Sequence, residues 1–133
     1  MGGQLPELAH GGLLAHTDLH GDQFRIGTHG TAHVIDWGCP GAAAPWIDGA
    51  FLVLRLLEAG HEPGAAESWA VTNLAGFGDI TDEHLTAFAA YLAGMWTHWA
   101  VTKDKPGMHH RARLARDYAA WRLTFAKRPV DAR

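Results

Sequence analysis

The chain has 133 residues, with 11 Lys and Arg against 14 Asp and Glu and a formal charge of −3. Its 47% hydrophobic and 19% charged residues suit one domain with one core, not a disordered segment. The weak negative charge argues against nucleic acid as a partner, because phosphate binding needs a basic face.

Residues 5–10 read as the end of a helix closed by Gly11-Gly12, and Leu13-Leu14-Ala15 leads into a polar loop. Phe24-Arg25-Ile26 and His33-Val34-Ile35 read as strands of a hairpin joined through Gly27-Thr28-His29-Gly30. The Gly-, Ala- and Pro-rich stretch from Gly38 to Pro45 reads as a loop. The chain is then helical. Ile47, Phe51, Leu54 and Leu57 keep a 3.6-residue rhythm from Ile47 to Ala59. A second helix opens at Pro63 and ends before Gly76. Thr81, followed by Asp82 and Glu83, reads as the N-cap of a third helix running to about Lys103. His109 to Lys127 forms the last, with Leu114, Tyr118, Trp121 and Phe125 on one stripe and Arg111, Arg113 and Arg116 on a solvated face. The run Ala87 to Ala100 contains His98 and is too short to span a membrane, so no membrane partner is expected. The single cysteine, Cys39, cannot form an internal disulfide; it reads as a small buried or half-buried thiol, and a cytoplasmic setting is the default.

Two acids flank the hairpin. Asp18 lies in the segment His16-Thr17-Asp18-Leu19-His20-Gly21-Asp22-Gln23 before it, and Asp36 follows it in Val34-Ile35-Asp36-Trp37. A hairpin returns its ends to one side, so both carboxylates can converge on one site. One can orient or deprotonate a hydroxyl while the other holds a hard cation, the division of labour that phosphoryl transfer asks for. His16 and His20 also stand at the i, i+4 spacing of a zinc pair, but that needs a helix, and Gly21-Asp22 argues for a loop. Trp69, Trp96, Trp99 and Trp121 read as core residues; the functional alternative is an aromatic wall for a cation, to which Tyr91, Trp96 and Trp99 cannot all contribute.

The order His16-x-Asp18-x-x-x-x-Gln23, hairpin, Ile35-Asp36-Trp37, then Pro45-x-x-Asp48 resembles the catalytic segment of the aminoglycoside phosphotransferase and choline kinase-like family, whose fold is protein-kinase-like. The resemblance implies an α+β, mostly helical C-terminal lobe with a short β-hairpin carrying the catalytic loop. It implies an ATP-dependent transfer of phosphate to a hydroxyl of a small molecule, such as an aminoglycoside, amino alcohol or sugar. Asp18 would be the catalytic base, Asp36 and Gln23 would bind Mg²⁺, and His16 and Asp48 would support the loop. Gln23 stands where the family carries Asn, which lengthens the side chain by one methylene. Residues 1–133 are expected to be a single domain, the catalytic lobe alone, since they hold no Gly-rich phosphate loop and no strand lysine with a glutamate partner. Self-association through a surface left bare by a missing lobe is a further expectation. The alternative is a truncated or degenerate lobe that acts as a binding or association module.

Overall fold

The structure is a computed structural model and describes Glu7 and residues 9–125. It is mostly helical with two small antiparallel ribbons. In chain order these are β1 (Leu13–Ala15), a 3₁₀ turn (Gly21–Gln23), β2 (Phe24–Ile26), β3 (Ala32–Val34), β4 (Gly41–Ala43), α1 (Ile47–Glu58), α2 (Pro63–Asn73), a second 3₁₀ turn (Phe77–Asp79), α3 (Asp82–Lys103) and α4 (Met108–Phe125). Of residues 5–10, Glu7 and Ala9 are helical; the rest of that expected helix, apart from His10, lies outside the described residues, as does the end of the last helix beyond Phe125.

The hairpin pairs β2 with β3, Phe24 opposite Val34 and Ile26 opposite Ala32, one residue earlier on the second strand than its apolar run suggests. Beyond this register, Ile35 donates its backbone N–H to the Gln23 carbonyl at 2.8 Å, so pairing reaches the residue before Asp36. The second ribbon overturns the loop reading of residues 38–45 at Gly41–Ala43 alone. Gly41, Ala42 and Ala43 pair with Ala15, Leu14 and Leu13. Gly and Ala have poor strand propensity, so nothing local announces β4; its strand character comes from a distant partner. Its place in the core follows from size. Ala15 and Ala43 are buried beneath the ribbon, and Gly11 passes so close that an added Cβ would sit 2.4 Å from the Ala43 carbonyl oxygen.

In α1, Ile47, Ala50, Val53, Leu54 and Leu57 recur every three or four residues and are buried, which seats the helix on the core. Thr81 caps α3 by accepting the His84 backbone N–H at 3.2 Å. The turn into α4 uses left-handed backbone at Asp104 and Gly107. The short connection returns α4 along α3, where the small residues Ala112, Ala115 and Ala119 are buried and allow close approach. Leu114 and Trp121, read as stripe residues, are only partly buried at the rim of that core. At the far end Arg122 is buried yet satisfied: its guanidinium pairs with Glu67 and Asp82 and donates to Thr86, while the Tyr118 hydroxyl donates to Glu67 at 2.6 Å. Burial and the Glu67 charge push the Tyr118 hydroxyl far above its ordinary range. Burial acts against the charged form of Arg122, but its contacts with Glu67, Tyr118 and Asp82 outweigh that and raise it. No helix among the described residues is long and apolar enough to cross a membrane.

Candidate functional site

The site is organised by Asp48 in the first turn of α1. Its Oδ2 accepts the His16 backbone N–H at 2.8 Å, and its Oδ1 accepts that of Thr17 at 2.9 Å. An acid at a helix start is favoured by the N-terminal partial charge. Here it spends its oxygens on the loop that follows β1. Thr17 is a β-branched residue held at φ 63, an uncommon and strained backbone conformation. The two bonds to Asp48 and a third, from Thr17 Oγ1 to the Cys39 carbonyl at 2.6 Å, hold it there.

His16 is 1% exposed and joins the two acidic segments. Its Nδ1 accepts the Asp18 backbone N–H at 3.3 Å, so Nε2 carries the proton and donates to the Ile35 carbonyl at 2.9 Å. Trp37 packs on the imidazole, with ring centroids 4.8 Å apart, and its indole N–H donates to the Val34 carbonyl. One buried ring thus contacts the chain at Asp18 and at the residue before Asp36.

Asp18 is exposed, with 57% of its side chain accessible, and the Arg55 guanidinium stands 3.6 Å away. Arg55 is 10% exposed, donates Nε to the Leu19 carbonyl, pairs with Glu58 at 3.0 Å and lies over the Trp96 ring. Glu58 in turn accepts from Arg111 Nε at 2.9 Å. Burial pushes the Glu58 carboxyl up, but the hydrogen bonds and charges of Arg111 and Arg55 outweigh it and hold it below its ordinary value. Arg111 is therefore part of this cluster and not merely a solvated residue, because α4 returns past the end of α1. Arg116, read the same way, donates to Thr97 Oγ1 on α3.

Asp36 adopts left-handed backbone at φ 59, is exposed, and has no hydrogen-bond or ion-pair partner among the described residues. Gln23 is 5% exposed. Its amide nitrogen lies 2.9 Å from His20 Nε2, and His20 Nδ1 faces Asp22 at 3.8 Å. With the Nδ1 proton toward Asp22, His20 Nε2 accepts from the amide, which leaves the Gln23 oxygen outside that bond. The Asp36 carboxylate is exposed and the Gln23 amide is on a buried side chain, both on residues at the open end of the hairpin. Mg²⁺ is usually held by one or two protein oxygens together with substrate phosphates, a number that this pair would supply. The pair does not make a dedicated protein cage: among the described residues no three His, Cys, Asp or Glu side chains gather at a possible metal position. His16 and His20 form no such pair, since each imidazole is engaged separately.

A cleft of about 320 Å³ opens beside Asp18. Phe51, Met95, Trp96, Trp99 and Met108 form its apolar walls, and Arg55 and Arg111 its basic side. Cys39 lines it as well and is exposed, not buried, because the chain after Asp36 runs along the rim. Of the aromatic residues singled out on α3, Trp96 and Trp99 face the cleft, whereas Tyr91 is exposed elsewhere on the helix. Arg55, Glu58 and Arg111 did not stand out as site residues by sequence. The available signal was Arg55, a lone cation inside the otherwise apolar run Phe51 to Leu57. Compared with family models, with curated proteins and with solved structures, the chain finds no match.

Proposed function

We propose that this chain is the catalytic lobe of an ATP-dependent phosphotransferase that acts on a hydroxyl of a small molecule. The observation that carries the reading is the Asp48 brace. It fixes the loop bearing Asp18 at the mouth of a cleft, while His16 ties that loop to the strand end bearing Asp36. Asp18 receives the acceptor hydroxyl as a hydrogen-bond donor and takes its proton as transfer proceeds. Arg55 positions the Asp18 carboxylate by charge. Asp36 and the Gln23 amide oxygen would hold Mg²⁺, which when bound neutralises phosphate charge. Catalysis of this kind is mainly positioning and electrostatics, and a braced loop supplies the positioning.

The test is a titration of the 133-residue chain with Mn²⁺ and ATP, followed by paramagnetic broadening of backbone amide signals. Broadening should centre on Gln23, Asp36 and their neighbours and vanish in Asp36→Asn. Unchanged broadening in that variant removes the metal role of Asp36. In a polypeptide that also carries a nucleotide-gripping lobe, Asp18→Asn should lower turnover by about 10²- to 10⁴-fold.

A second reading, an association module without catalysis, is favoured by one observation. Leu13, Leu14, Ile26 and Trp37 on and beside the ribbons are 57%, 70%, 69% and 44% exposed.

A further inference from the structure

The cleft beside Asp18 constrains what it can accept. Its aromatic walls are the usual receptor for an ammonium group, but both rings already carry a cation from this chain. Arg55 lies over Trp96, 5.4 Å from the ring centre, and Lys103 Nζ lies 4.5 Å from that of Trp99. Glu58, the acid nearest those guanidinium groups, is committed to both Arg55 and Arg111. Asp18 faces Arg55. An incoming ammonium would therefore meet two arginines and find no unpaired carboxylate in the cleft lining. Arg111 uses only Nε on Glu58, and its terminal nitrogens make no hydrogen bond among the described residues. They form an open donor edge on the cleft, suited to an acceptor oxygen. The remaining walls are Phe51, Met95 and Met108, which fit an apolar body.

We infer that the acceptor is a largely apolar hydroxyl compound without positive charge, bearing a carboxylate or carbonyl oxygen that meets Arg111. This inference rests on the phosphotransferase reading for the role of the hydroxyl. It narrows the substrate class away from polyamines and amino alcohols.

The test uses three probes matched in shape: 4-ethylbenzyl alcohol, 4-(hydroxymethyl)benzoate and 4-(aminomethyl)benzyl alcohol. Each is titrated into the 133-residue chain without nucleotide at pH 7, with binding read from indole N–H signals. The neutral and carboxylate probes should shift Trp96 and Trp99, leave Trp69 and Trp121 in place, and each bind at least about tenfold more tightly than the amine. Arg111→Gln should weaken the carboxylate probe about tenfold and leave the neutral one unchanged. An amine that binds as tightly as either partner probe, or shifts confined to Trp69 and Trp121, overturns the inference. Because no phosphate is transferred here, the two ideas fail separately. Selective binding without any transfer by a polypeptide that also carries a nucleotide-gripping lobe refutes the transferase and leaves the acceptor class standing; transfer to the amine by that polypeptide refutes the class and leaves the transferase.

Discussion

Asp48 and His16, on opposite sides of the hairpin in sequence, meet through a 2.8 Å bond from the His16 backbone N–H to the Asp48 carboxylate. The neighbouring Thr17 N–H occupies the other oxygen. A single side chain thus accepts two consecutive backbone N–H groups of the loop that carries Asp18.

Replacing Asp48 by Ala strands both N–H groups, one of them on a buried residue. The expected loss is about 2 to 4 kcal/mol in urea unfolding, since each unsatisfied polar group costs roughly 1–3 kcal/mol. Asp48→Asn keeps one good acceptor and should lose about half as much. Equal midpoints for wild type and Asp48→Ala would remove the brace from the energetics.

The buried Arg122 offers a second test. Glu67→Ala leaves its guanidinium with Asp82 and Thr86 alone and removes the acceptor of the Tyr118 hydroxyl. A loss of about 3 kcal/mol is expected, in the range for breaking a buried ion pair. Tyr118→Phe removes only one bond and should lose about 1 kcal/mol. The order of the two, read from chemical denaturation, is the check.

Glu58 makes stability depend on pH in a defined direction. Its carboxyl is held below the ordinary 4.5 in the folded chain, so the folded state binds its proton less readily than the unfolded state. Its stabilising contribution is complete above that value and is lost as pH falls through the folded pKa. The difference in urea midpoint between wild type and Glu58→Gln should therefore be present at pH 7 and shrink steadily below about pH 4.5. A difference that grows on acidification would reverse the assignment.

Gly11 tests the ribbon that the loop reading overlooked. Its added Cβ would meet the Ala43 carbonyl oxygen and the Ala44 Cα, both backbone atoms that cannot swing aside. Gly11→Ala should cost about 1 to 3 kcal/mol, the usual range for overpacking, whereas Gly12→Ala, where a Cβ meets nothing within 4 Å, should be close to neutral.

The exposed apolar strand residues are tested by sedimentation. Self-association that weakens in Leu14→Lys would support an association face, and a monomer at every concentration would count against it.

Helices were legible because their signals are local. The period of Ile47 to Leu57, Pro63 at a helix start and the Thr81 cap all announce themselves within one or two turns. The β2–β3 hairpin was legible for the same reason, with a one-residue slip at its second strand. What sequence reading missed depends on distance along the chain. The β1–β4 ribbon pairs segments of weak strand propensity, and Cys39 is exposed because of where the rim passes. Arg111 joins Glu58 only because α4 returns past α1. The acids of the candidate site were visible as a spaced pattern; the cleft, which Asp18 lines and Asp36 and Asp48 do not, is assembled largely from three helices, and no local pattern encodes it.

Thr17 hydroxyl to Cys39 carbonyl is a small contact with a kinetic corollary. It bolts the segment leading to Asp18 onto the segment leaving Asp36, and the His16 ring bolts them a second time. Neither stretch can lift away without dragging the other, so amide protons on both should become exchangeable in one concerted opening instead of two independent ones.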